Sequence, residues 1–212
     1  MNFDNNAIKQ VKKHRLLGVT INNQLCWHDH IDIMCKKLSR NLYTLSKIKD
    51  IISESARKIF YNAHIKSHID YASTIWDGAG EVHLKKLSSL HRRAAKLIRP
   101  NPLLTTDQKL SNLNMLPLHK HLLQNKGTFM YKLYSNSLPN YLVELLPKHK
   151  KLKYDTSRHM VTVPKPRIDM YKTSLSYSGG ALWNSLPSEI QNSPSLAIFK
   201  TRLSKHLLLK DQ

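Results

Sequence analysis

The chain has 212 residues, 41% of them apolar, which is enough for one large or two small cored domains. Its 34 lysines and arginines stand against 14 acids, a formal net charge of +20, and self-repulsion on that scale points to a polyanionic partner, nucleic acid first. Two cysteines are too few for a disulfide scaffold, the N-terminus has no apolar run of signal-peptide length, and nowhere do about 18 apolar residues run together without charge. An intracellular protein of the nucleus or cytoplasm, with no membrane span, is expected.

Residues 1–13 are polar and basic with little periodicity. Leu17, Val19 and Ile21 then alternate with smaller or polar residues, which predicts a strand over 16–21. Asn22-Asn23 is a turn pair, Trp27 a large anchor for burial, and Asp29 a carboxylate suited to a helix N-terminus. The strand has no evident partner, so its sheet is expected to be missing or completed by a later strand.

From about 29 to 49, Ile31, Met34, Leu38, Leu42, Leu45 and Ile48 step by three or four, one face of an amphipathic helix, with Lys36, Lys37, Arg40 and Lys47 on the other. Ser53 can cap a second helix running to about Asp77, stopped by Gly78 and Gly80. It is apolar on more than one side (Ile59, Phe60, Ala63, Ile65, Ile69, Tyr71, Ala72, Ile75, Trp76), which predicts a core helix in the middle of a bundle. A third helix, about 82–99, buries Leu84, Leu87, Leu90, Ala94, Leu97 and Ile98 and shows Lys85, Lys86, Arg92, Arg93, Lys96 and Arg99; Pro100 and Pro102 end it.

After a short segment with Leu110, Leu113 and Leu116, a helix is predicted over about 118–136, with Leu122, Phe129, Met130, Leu133 and Tyr134 inward. Gly127 in its middle marks a close crossing. Pro139 can start a short helix through Leu146. Residues 148–178 change texture: Lys148, Lys150, Lys151, Lys153, Arg158, Lys165, Arg167 and Lys172 crowd a stretch with Pro164 and Pro166, and only 160–163 could be a strand. This reads as a basic, loop-rich linker that orders on a partner. Order returns at Gly179 to Pro187, followed by a last amphipathic helix of Leu196, Phe199, Leu203, Leu207 and Leu208 with Lys200, Arg202 and Lys205 outside. The expected class is mainly α: a helical bundle with a short N-terminal strand or hairpin and a loop-rich basic C-terminal segment.

The acids are scattered, with no converging carboxylates of the kind two-metal phosphoryl transfer needs. Asp70 before Tyr71 resembles a polymerase motif but sits in a helix without a second Asp. No phosphate-cradling loop, nucleophile elbow or His-Glu-x-x-His is present. Cys26, His28, His30 and Cys35 offer four potential zinc ligands within ten residues, but their spacing across a strand end and a helix start makes convergence awkward, so no metal is expected.

Taken together, Leu17-Gly18-Val19, Trp27 with His30-Ile31, Tyr61 with His68-Ile69-Asp70-Tyr71 and Trp76, Leu90 through Arg99, Leu116-Pro117-Leu118, Pro139-Asn140-Tyr141-Leu142, Leu182-Trp183-Asn184-Ser185-Leu186-Pro187 and Phe199-Lys200 resemble the C-terminal third of jockey-like non-LTR retrotransposon reverse transcriptases. The likeness covers almost the whole chain. It implies that 1–28 is a palm-end remnant with Leu17, Gly18 and Val19 like a primer grip, and that 29–105 is a thumb-like bundle. Additional helices follow over 106–147, then the linker, then a Trp-Asn motif and helix over 179–212. It also implies that the catalytic aspartates, and the Mg2+ they would hold, belong to a palm upstream, so none is carried over and the chain alone is expected to be inactive as a polymerase. The implied activity is sequence-nonspecific binding of primer-template or element RNA through phosphates, at Lys36, Lys37, Arg40, Arg92, Arg93, Lys96 and Arg99. The expected partners are RNA or DNA backbone and the palm or another protein. The alternatives are a helical protein-interaction module and a decaying, non-functional element copy.

Overall fold

The computed structural model describes residues 10–135, 137–145 and 160–209, and the backbone of 2–3 and 6–7. It is mainly helical. Two short antiparallel pairs open the chain: β1 (Asn2–Phe3) with β2 (Asn6–Ala7), and β3 (Lys13–Leu16) with β4 (Val19–Asn22). The second pair overturns the expectation of an unpartnered strand over 16–21. Leu16 faces Val19, so Leu17 and Gly18 are a two-residue turn, with φ of 46° and 84°. Positive φ at both central positions is the type I′ geometry whose twist matches a hairpin. The strand signal concealed the turn because Leu seldom adopts that conformation. β3 is exposed along its length, whereas Val19, Thr20 and Asn22 of β4 are buried.

The turn at Asn22-Asn23 and the helix start after it form as the sequence predicts. Asn22 Oδ1 accepts from the Cys26 amide at 3.1 Å and its Nδ2 donates to Asp29 at 3.1 Å, and α1 (His28–Ile48) begins there. Trp27 packs half-buried against the core. Ile31, Met34, Leu38, Leu42 and Leu45 of α1 are buried, and Lys36, Lys37, Arg40 and Lys47 are exposed, as the 3.6-residue period requires.

Ser53 caps α2 (Glu54–Tyr61), its hydroxyl accepting from the Ala56 amide at 3.2 Å. The continuous central helix predicted over 53–77 does not form. α2 widens into a π-helical turn (Asn62–Lys66), tightens into α3 (Ser67–Asp70) and breaks at Tyr71-Ala72, where Ala72 is left-handed with φ 52°, before α4 (Ser73–Trp76). Nor is it apolar all round, since Ile59, Ala63, Tyr71 and Ile75 are exposed while Tyr61, Ile65, Ile69 and Trp76 are buried. The break swings Trp76 into the core with its indole N–H on the Tyr71 carbonyl at 3.0 Å, which offsets the backbone strain at Ala72.

α5 (Glu81–Ile98) packs on α1, and α6 (Thr106–Asn112) turns the predicted Leu110 segment into a helix through a capping box between Thr105 and Gln108. α7 (Leu118–Tyr134) joins two cores: Leu118 and Leu122 belong to the first, with α1–α6, and Met130 and Leu133 to the second. The second core is completed by α10 (Gly180–Ser185), α11 (Ser188–Gln191) and α12 (Leu196–Leu209), through Trp183, Leu186, Ile190, Phe199, Leu203 and Leu207; Leu208 faces outward. A Cβ on Gly127 would stand 2.7 Å from the Leu203 side chain, so this glycine marks the crossing of α7 and α12.

α8 (Asn140–Leu145) follows Pro139, and α9 (Asp169–Lys172) lies in the stretch read as a linker. Within that stretch Leu175–Gly179 forms a π-helical turn, residues 162–168 carry no regular structure, and Val161 is the anchor. Val161 is buried in the second core and its amide and carbonyl both bond the Asn184 side chain at 2.9 Å. Lys148, Lys150, Lys151, Lys153 and Arg158, and the ends of the helices predicted to reach 136 and 146, lie outside the described residues.

Candidate nucleic-acid interface

The break at Tyr71 turns its ring back toward the hairpin. Its hydroxyl donates to the Leu17 carbonyl, and its ring lies against Gly18, so β3–β4 is held over one flank of α1. Between hairpin, α1 and α3 runs a groove of about 440 Å3 lined by Arg15, Gly18, Thr20, His30, Ile33, Met34, Lys37, Arg40, His68 and Tyr71. Three cations and two imidazoles face it and, among the described residues, no carboxylate does. Both imidazoles are disfavoured as cations: burial first, then Arg15, lowers the pKa of His30, and burial, then Lys37 and His64, lowers that of His68. His30 Nδ1 receives a long bond, 3.4 Å, from the Thr20 amide, which leaves the proton of the neutral ring on Nε2.

Of the seven cations expected to bind nucleic acid, the groove gathers Lys37 and Arg40. Lys36 is exposed one step away on α1, beside a shallower depression shared with Asp32, Cys35, Ser39 and Arg40. The cations of α5 divide. Arg92 pairs with Asp107 at 3.0 Å, and Arg99 makes a two-pronged bond to Glu54 that ties the end of α5 to the start of α2. Arg93 and Lys96 are exposed on α5 away from the groove lining. Leu17, Gly18 and Val19 divide too: Leu17 is 82% exposed at the hairpin tip, Gly18 lines the groove, and Val19 is buried. Arg15, His30 and His68 were not expected at such a site. Arg15 reaches it only because the hairpin folds back, for which Leu17-Gly18 is a weak sequence signal.

The four candidate metal ligands do not converge. Cys26 Sγ lies 2.9 Å from His28 Nδ1, but His30 points into the groove side and Cys35 is half-buried against the core, where burial and Asp32 push its thiol pKa up. Among the described residues no group of three or more His, Cys, Asp or Glu is arranged to hold a metal, and no helix is long and apolar enough to cross a membrane.

Asp70, which resembled a polymerase aspartate, is a structural hub. It accepts from His121, Lys66 and Asn125, and although burial raises its pKa, those bonds outweigh it and hold the carboxyl well below the usual range. His91 beside it bonds Tyr61 at 3.1 Å and the Leu116 carbonyl at 2.9 Å, and burial lowers its pKa to about 4. No family model, curated protein or solved structure matches the chain.

Proposed function

We propose that this chain binds nucleic-acid backbone without sequence preference and without catalysing a reaction on its own, in the manner of the region that follows the palm in jockey-like reverse transcriptases. The observation that carries this reading is the groove between hairpin and α1, where Arg15, Lys37 and Arg40 converge with two imidazoles and, among the described residues, no carboxylate. Its side chains suit phosphates rather than base edges: guanidinium and ammonium groups hold phosphate oxygens, and the exposed Ile33 and Tyr71 offer apolar surface to sugar. Lys36 extends the cationic surface along α1.

The test is binding of single-stranded RNA, duplex DNA and hybrid duplex across a salt series. A linear fall of log affinity with log salt is expected, with a slope that drops by about one for each of Arg15, Lys37 and Arg40 replaced by Glu or Ala. A flat salt dependence, or charge reversal at Lys37 and Arg40 without effect on binding in a folded variant, overturns it and favours a protein-interaction module instead.

A further inference from the structure

The groove between hairpin, α1 and α3 carries an aromatic ring that phosphate binding leaves unused. Tyr71 is 54% exposed, whereas Trp76 is fully buried. The chain break sorts the two: Tyr71 has an extended backbone and Ala72 a left-handed one, which turns the indole inward and the phenol outward. Among the described residues no other aromatic ring packs against Tyr71. The ring is nonetheless held in place. Its hydroxyl donates to the Leu17 carbonyl, and a Cβ on Gly18 would stand 3.4 Å from its Cε1, so the hairpin fixes one side while the exposed part lines the groove.

The surroundings of the ring define what it can take. Ile33, 52% exposed, adds apolar surface in the same groove, with Arg15 on the hairpin wall and Lys37 and Arg40 on α1. His30, only 8% exposed, also lines it; its Nδ1 accepts from the Thr20 amide, and its Nε2 has no hydrogen-bond partner among the described residues. Exposed apolar surface rimmed by polar groups marks an interaction site. Here it is matched by a ligand that is flat and apolar in one part and anionic in the next, which describes an unpaired nucleotide. The groove, about 440 Å3, has the size of a small-ligand pocket, which admits units of one strand and not the width of a duplex.

We propose that one unpaired base of a single strand stacks on Tyr71 while the phosphates beside it lie on Arg15, Lys37 and Arg40. This rests on the backbone-binding reading above, which also decides for nucleic acid over an acidic peptide, and it narrows the ligand to a strand with unpaired bases. Stacking uses the face that every base has and no base edge, so it adds affinity without sequence preference. In a duplex that face is covered by the next pair, whereas bases of a single strand can splay out onto an aromatic side chain. His30 Nε2–H is a neutral donor for an oxygen of the same nucleotide.

The experiment compares a single-stranded oligonucleotide with an abasic strand of equal length and charge, bound by the native chain, Tyr71→Leu and Tyr71→Phe, with a cooperative melt to report that each variant folds. The native chain should bind the base-bearing strand about 5- to 100-fold tighter, the effect of stacking one base. Tyr71→Leu should bring that ratio close to one, and Tyr71→Phe, which keeps the ring and loses the hydroxyl, should retain it. If Tyr71→Phe loses the ratio as well, the hydroxyl bond that holds the hairpin carries the difference and the stacking is overturned. Equal binding of the two strands by the native chain, or a ratio that Tyr71→Leu leaves in place, overturns the inference and leaves backbone binding standing. Binding of neither strand at low salt overturns both. Displacement of the bound strand by an acidic, tyrosine-bearing peptide as readily as by the strand itself assigns the groove to a protein and overturns the inference too. Where Tyr71→Leu does not fold, the Tyr71 ring protons of the native chain decide: an upfield shift with the base-bearing strand and not with the abasic one sustains the stacking, and no shift overturns it.

Discussion

The seam between the two cores is closed by a buried ion pair, and removing its cation is the sharpest test of how the halves are joined. Lys126 on α7 meets Asp77, just after α4, at 2.7 Å, and its ammonium also donates to Ser178 of the second core at 2.9 Å; the two charged side chains are 9% and 6% exposed. Burial pushes the Asp77 pKa up, and the attraction of Lys126 only partly opposes it. Lys126→Met keeps the stem and strands Asp77 without a cation, which costs about 3–5 kcal/mol by the usual penalty for breaking a buried pair. Against a typical domain stability of about 5–15 kcal/mol that is a large fraction. Ser178→Ala removes one neutral acceptor and should cost about 1 kcal/mol. Urea unfolding at neutral pH gives these values. Because a stranded Asp77 can escape by taking up a proton, the loss in Lys126→Met should shrink as pH falls, and Asp77→Asn combined with Lys126→Met should cost less than the sum of the two. A loss under about 1 kcal/mol, or one that does not change with pH, refutes the claim that the pair bears on stability through burial.

Other outcomes follow from single sites. His91 is held neutral with a pKa of about 4 against an ordinary 6.5, so the unfolded chain takes up that proton first. Stability is therefore full above about 6.5 and falls toward 4 by about 3 kcal/mol, and His91→Gln should flatten acid unfolding over that range. Asp70, depressed instead, adds a loss of the same sign only below the ordinary carboxylate range. Gly78→Ala would bring a Cβ to 2.6 Å from the Thr173 Cβ and 3.0 Å from its carbonyl, and overpacking of that kind should cost about 1–3 kcal/mol in a thermal melt. Leu17→Asn gives the type I′ turn a residue that accepts positive φ and should stabilise by about 0.5–1 kcal/mol, seen as slower hydrogen exchange at Val19 and Ile21, whose pairs with Leu16 and His14 are the hydrogen-bonded ones.

The long helices α1, α5, α7 and α12 were legible because their apolar residues repeat with the helical period and face a continuous core. Gly127 was legible for the same reason, as an interruption with no turn around it. What periodicity could not show were the places where a non-glycine residue takes a left-handed conformation, among the described residues Leu17, Leu25, Ala72 and Asn114. Leu17 and Ala72 each violate local preference, and each is held by a distant contact: the Tyr71 hydroxyl on the Leu17 carbonyl and the burial of Trp76. Those two exceptions build the groove, by folding Arg15 back and by aiming Tyr71 at the hairpin. The site was therefore half visible, through Lys37 and Arg40 on a regular helix, and half hidden, through Arg15, His30 and His68, whose convergence depends on strain. α6 had a readable signal in Thr105 and Gln108, three apart as a capping box requires.

The distribution of acids explains why the groove is cationic and not merely part of a basic surface. Asp29, Asp32, Asp50, Glu54, Asp70, Asp77, Glu81, Asp107 and Asp169 each lie within 4.0 Å of a Lys, Arg or His, and several join separate elements: Glu54 to Arg99, Asp70 to His121, Asp77 to Lys126, Asp107 to Arg92. None of these pairs involves Arg15, Lys37 or Arg40. With these acids committed to pairs elsewhere, Arg15, Lys37 and Arg40 stand together where hairpin, α1 and α3 meet, and Arg15 and Lys37 add to the burial that is the main cause of the lowered pKa of His30 and His68. A polyanion entering the groove reverses that field and raises the pKa of His30 and His68, so binding takes up protons. Affinity should then rise as pH falls through the range near and below 6.5, and His30→Gln with His68→Gln should remove the rise while leaving the salt slope at higher pH unchanged. Affinity that stays level with pH in the native chain would mean the phosphates lie elsewhere, on Lys36, Arg93 or Lys96.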